Sequence, residues 1–121
     1  MEKVFINHTN HSSSEWNVKQ REEAEKYGII KDYPFPAIDP AWDEARVLQL
    51  VQNNFEIILA LQPNAVLCQG EFLYCYHLIS RLKEKGITVL SACSKRETVE
   101  WEEDNASIKE AKFSFVRFRE Y

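Results

Sequence analysis

The chain has 121 residues, 45% of them hydrophobic and 28% charged, with a formal net charge of −4. That is the size and composition of one soluble globular domain, residues 1–121, able to bury a core without disulfide or metal. The negative balance argues against a protein that wraps long nucleic acid, and no apolar run approaches the roughly 20 residues that span a bilayer.

Val4-Phe5-Ile6 is a short apolar run, and a first strand is expected over Lys3–Ile6. The chain then enters the polar run Asn7-His8-Thr9-Asn10-His11-Ser12-Ser13-Ser14, without an apolar secretory segment before it. Two capping boxes compete for the next helix start, Ser12 with Glu15 and Asn17 with Gln20. Asn17 gives the more compact helix, Val18–Tyr27 closed by Gly28, and leaves Asn7–Trp16 as a long loop. A second strand, Ile29–Tyr33, stops at Pro34 and Pro36.

Asp39-Pro40 predicts a helix start, with a carboxylate N-cap and proline at the first helical position. Val47, Leu48, Val51, Phe55, Ile58 and Leu59 then recur at helical spacing, up to Pro63-Asn64. The wholly apolar Ala65–Cys68 fits a central parallel strand. A third helix follows, with an expected buried face of Phe72, Cys75, Tyr76, Ile79 and Leu82 and Gly86 at its end, and Ile87–Ala92 is a fourth strand. Thr98–Trp101 and Ile108–Phe118 read as a terminal antiparallel hairpin around the turn-rich 102–107. In simple alternation Phe113 and Phe115 face one way, Val116 and Phe118 the other. The last strand is then either covered on both sides or bulged near Phe115.

This rhythm predicts an α/β fold, a three-layer sandwich on a mainly parallel sheet of order near 2-1-3-4, with the hairpin at one edge. Ligands in such sheets collect beyond the carboxyl ends of the strands. That rule brings Asn7–Ser14, Gln69–Glu71 and Cys93–Arg96 to one rim. His8 and His11 can act there as acid or base near neutral pH, or simply orient the loop backbone. Gly70 lets a ligand approach the backbone, Gln69 can read an amide-like edge, and Glu71 can accept from a ribose hydroxyl or stabilise the helix dipole. Lys95, Arg96, Arg117 and Arg119 offer a cationic lip, and Trp16 can stack on a base. Cys93 reads as a small buried residue rather than a nucleophile, and the three cysteines match no zinc spacing. As reduced thiols they point to the cytoplasm.

The pattern Val-Phe-Ile-Asn-x-Thr-Asn-His-x-Ser-x-x-Trp at 4–16, Pro-Phe-Pro at 34–36 and Gly-Glu-Phe at 70–72 resembles a group of small CRISPR-associated proteins. Ala-Cys-Ser-x-Arg at 92–96 and Phe-Val-Arg-Phe-Arg at 115–119 extend the resemblance over nearly the whole chain. The group is one of single-domain, Rossmann-like modules related to the CARF domain. Ser12 departs from it, because a proline is expected there. The resemblance implies binding of a cyclic oligoadenylate across a homodimer and, in ring nucleases, its cleavage without metal or other cofactor. A ribose 2′-OH attacks the neighbouring phosphate in line. The catalytic candidates are then His11, as acid to the leaving 5′-oxygen, and Arg96, against charge on phosphorus. Candidate ligand-binding residues are Asn7, Thr9, Asn10, Ser13, Trp16, Gln69, Gly70, Glu71 and Ser94. A sensor that binds the ring without cutting it, and an interaction protein using the hairpin edge, are the alternatives.

Overall fold

A computed structural model describes residues 2–121. The described chain is a mixed α/β fold with one five-stranded sheet and three α-helices. In chain order these are β1 (Val4–His8), α1 (Val18–Glu25), β2 (Ile29–Asp32), α2 (Glu44–Ala60), β3 (Ala65–Cys68), α3 (Phe72–Glu84), β4 (Thr88–Glu103) and β5 (Ala106–Glu120). The sheet order is β2-β1-β3-β4-β5, with the first four strands parallel and β5 antiparallel to β4.

The two faces of the sheet bury different residues of the same strands, as the two-residue period of a strand requires. Val4, Ile6, Val66, Cys68 and Val89 pack beneath α2 and α3, whose buried stripes include Val51, Phe55, Ile58, Leu78 and Leu82. Phe5, Ala65, Leu67 and Leu90 face the other way, with Ala24 of α1 and with Phe115 and Phe118 of β5. Among the described residues no helix is long and apolar enough to cross a membrane.

Both competing caps are used. Asn17 accepts from the Gln20 N–H and starts α1, while Ser12 accepts from the Ser14 N–H and starts a single 3₁₀ turn, Ser13–Glu15. α2 starts four residues later than Asp39-Pro40 predicts. Asp39 closes a local turn, its carboxylate taking the Ala41 N–H, and Asp43 caps the helix by accepting from Arg46 N–H. In α3 the expected face is rotated: Tyr74 and Leu78 are fully buried, whereas Phe72 is 91% and Tyr76 68% exposed. Packing on α2 selects the stripe Tyr74, Cys75, Leu78, Ile79 and Leu82, a choice that periodicity alone leaves open.

The largest departure concerns the C-terminal region. The expected fourth strand and the first strand of the hairpin are one continuous strand, so the sheet has five strands rather than six. Asp104 and Asn105, both at positive φ, make the tight turn into β5. The register slips between Cys93, opposite Arg117, and Ser94, opposite Phe115, leaving Val116 as the extra residue. This bulge resolves the phenylalanine pattern. Phe118, Phe115 and Phe113 pair with Ala92, Ser94 and Arg96, so all three share one face. Beyond the bulge, β4 and β5 continue as a two-stranded arm with nearly every residue exposed.

Candidate functional site

β1 runs two residues further than its apolar run predicts, and this divides the polar segment. Asn7 and His8 are strand residues held between β2 and β3, His8 opposite Cys68, and both are buried. His8 is therefore not a rim residue. Its Nδ1 lies 2.6 Å from the Tyr33 carbonyl, which can only accept, so Nδ1 carries the proton and Nε2 accepts from the Tyr74 hydroxyl at 2.7 Å. Asn54 completes the set, donating Nδ2–H to the Tyr74 oxygen at 3.0 Å and accepting from the Tyr33 hydroxyl at 2.8 Å. Burial lowers the His8 pKa, the Tyr33 carbonyl opposing it, so the ring stays neutral as this network requires. The imidazole stacks on Tyr33 at 5.1 Å and leaves no nitrogen for catalysis.

Asn7 and Ser13 likewise serve the loop. Asn7 Nδ2 donates to the His11 carbonyl and to Asp32, each at 2.8 Å. Ser13 gives Asp32 its hydroxyl at 3.0 Å and its N–H at 3.2 Å. Asp32, at the end of β2, is thus the anchor of the 3₁₀ turn, a role no sequence signal marks. Thr9 is half committed, its hydroxyl donating to Asn7 Oδ1 at 2.8 Å. Glu71 caps α3, accepting from the Tyr74 N–H at 2.7 Å, which is the helix-dipole role rather than a ligand contact. Gln69 Oε1 accepts from the Ala92 N–H at 2.6 Å and fastens the β3 turn to β4.

The remaining candidates meet. A half-open cavity of about 690 Å³ lies beyond the carboxyl ends of β1 and β3 and against the middle of β4, at Ala92 and Ser94, on the α1 side of the sheet. Thr9, Asn10, His11, Trp16, Gln69, Gly70 and Ser94 line it. The sequence reading missed Glu15, Asn17 and Gln20, and also the aromatic wall of Phe113 and Phe115. That wall follows from the bulge, which turns Phe115 onto the face of Ser94. Trp16 also lines the cavity, its ring held edge-on to Phe5 at 6.1 Å.

Gly70 shapes the floor. A Cβ there would fall 2.3 Å from the Phe35 ring, so the turn lies directly on Phe35, itself packed on His8 and Tyr74. Buried network and cavity floor are thus one packed stack.

The cationic lip is not assembled as expected. Among the described residues that line the cavity none is Lys or Arg. Arg96 pairs with Phe113 on the same face as Ser94, one strand repeat (about 7 Å) further out along the arm. Lys95 pairs with Glu97 at 3.6 Å, and Arg117 lies opposite Cys93, so both sit on the other face. The site is therefore a hydrogen-bonding and aromatic pocket without a Lys or Arg side chain, with one histidine, His11, and one carboxylate, Glu15, in its lining. Such a surface suits a planar heterocycle flanked by hydroxyl and amide-like groups.

No curated protein matches the chain. A family model described as "Uncharacterized protein MJ1673 family" matches residues 3–119, nearly the entire length, and the chain belongs to that family.

Proposed function

We propose that this chain is a ring nuclease of the CARF kind, built on a Rossmann-like sandwich, that binds and cleaves a cyclic oligoadenylate and so ends a CRISPR-associated antiviral signal. One observation carries the reading: the cavity beyond the carboxyl ends of β1 and β3 gathers Asn10, His11, Gln69 and Ser94 in one lining with the aromatic rings of Trp16, Phe113 and Phe115. Adenines need π-faces, and the ribose–phosphate edge needs hydrogen-bonding groups. A ribose 2′-oxygen attacks the adjacent phosphorus, the bond to the 5′-oxygen breaks, and a 2′,3′-cyclic phosphate remains. One proton leaves the 2′-oxygen and one arrives at the 5′-oxygen, donated by His11. Arg96 enters from the arm to meet the phosphate charge. A second copy of the chain covers the open side of the ring, and the three free thiols fit a reducing cytoplasm.

A second reading, a module that sequesters the ring without cutting it, is favoured by the lack of Lys and Arg among the cavity-lining residues. Incubation with cyclic tri-, tetra- and hexa-adenylate in EDTA, followed by separation of products, distinguishes the two. Linear products ending in a 2′,3′-cyclic phosphate support cleavage, and an intact ring recovered from a tight complex supports sequestration. If no ring raises the melting temperature, both readings fail. The exposed β4–β5 arm then leaves an interaction protein as the remaining reading.

A further inference from the structure

We infer that Cys68 and Cys75 form an oxidisable dithiol, closed to a disulfide by a hydroperoxide, at the turn that floors the cavity. The two sulfurs lie 3.8 Å apart, with the Cys68 S–H donating to the Cys75 sulfur. They differ in access. Cys68 ends β3 and is fully buried, whereas Cys75, in the first turn of α3, is 8% exposed and lines a second cavity of about 540 Å³ beside Phe72, Tyr76 and Tyr121. Cys75 thus borders a cavity that a small oxidant can enter, and Cys68 stands behind it to resolve the product.

The electrostatics run the same way. The hydrogen bond from Cys68 lowers the Cys75 pKa, against burial, and that bond with burial raises Cys68. The sulfur that the oxidant can reach is the one that favours the thiolate.

The steps balance with a hydroperoxide as the named oxidant. The Cys75 sulfur attacks one peroxide oxygen and the O–O bond breaks. The other oxygen leaves as water or alcohol, taking the Cys75 proton, and Cys75 becomes a sulfenic acid. The Cys68 sulfur then attacks the Cys75 sulfur, the S–O bond breaks and water leaves with the Cys68 proton. Two thiols give one disulfide, and the peroxide takes up two electrons.

The placement gives the bond a consequence for the fold. The closed segment 68–75 contains Gln69, Gly70 and Glu71, the cavity floor and the α3 cap. The sulfurs must approach from 3.8 Å to about 2.05 Å. Between the two sulfurs in sequence, Gly70 already lies against the Phe35 ring with no room for a Cβ.

The test needs no ligand and is independent of the ring-nuclease reading. The full chain is treated with hydrogen peroxide, then denatured, alkylated and digested with trypsin. Cys68 and Cys75 fall in the single peptide 47–81, and Cys93 falls in 86–95, which serves as the control. The expected result is a 47–81 peptide lighter by two hydrogens and closed to alkylation, recovered by dithiothreitol. It forms about tenfold faster than Cys93 loses its label. In Cys68→Ser the reaction stops at the Cys75 sulfenic acid, which dimedone traps. A 47–81 peptide that keeps both alkyl groups, or that reacts no faster than Cys93, overturns the inference even if Cys68→Ser fails to fold.

Discussion

Replacing Tyr74 by Phe removes one oxygen from the centre of the buried polar network and leaves the ring, with its edge contact to Phe35 at 5.0 Å, in place. Two hydrogen bonds end at that oxygen, one to His8 Nε2 at 2.7 Å and one from Asn54 Nδ2 at 3.0 Å. Both partners are buried, so neither recovers its lost bond from water. An orphaned buried polar group costs about 1–3 kcal/mol, and two of them place Tyr74→Phe at about 2–6 kcal/mol of lost stability. With a urea slope of about 2 kcal/mol/M for a domain of this size, the midpoint falls by about 1–3 M. Equilibrium urea unfolding followed by far-ultraviolet circular dichroism measures it. A loss below about 0.5 kcal/mol, comparable to a neutral surface change, would refute the claim that His8 is held for structure.

Stability is also expected to fall as pH drops below the ordinary histidine value of 6.5, because His8 is buried neutral and its folded pKa lies lower. The unfolded chain binds the proton first, so the contribution is complete above 6.5 and is lost towards the folded value. Thermal melts between pH 7.5 and 5.5 should show this slope, and His8→Phe should flatten it. Gly70→Ala drives a Cβ into the Phe35 ring and should cost about 1–3 kcal/mol, read as a lower melting temperature. Asp32→Ala unties Asn7 and Ser13 and should lower protection of the Ser13 amide in hydrogen exchange by about 1 kcal/mol, with the core strands unchanged. On the proposed ring cleavage, His11→Ala should reduce turnover far more than affinity, and equal losses would make it a positioning residue.

Much of the element order was legible because it rests on local rules. Asn17, Gly86 and the apolar Ala65–Cys68 each act within a few residues, and the chain uses them as read. The rim was legible for the same reason: parallel strands joined by helices direct their carboxyl ends to one side. A local signal could also mislead. Asp39-Pro40 reads as the start of α2, yet Asp43 caps it, and the first buried residues of that helix are Val47 and Val51.

Individual site roles were less legible, because a side chain's role depends on what stands opposite it. His8 and His11 are both loop histidines by sequence. Pairing with Cys68 and Asp32's neighbours draws the first into the sheet and leaves the second at the cavity. Phe115 shows the same limit, since its place in the wall depends on one unpaired residue, Val116.

By itself the sequence determined the alternation of strands and helices, the polar segment after the first strand and the glycine turn at 70. Each follows from backbone propensity and hydrophobic period, which act over one or two turns of chain. The tertiary structure decided which polar groups stay free. Buried donors and acceptors must find partners, and here Asp32, Tyr33 and Tyr74, distant in sequence, claim Asn7, Ser13 and His8. What remains unclaimed around the cavity (Asn10, His11 and Ser94, with Trp16 and the two phenylalanines) is the surface offered to a ligand.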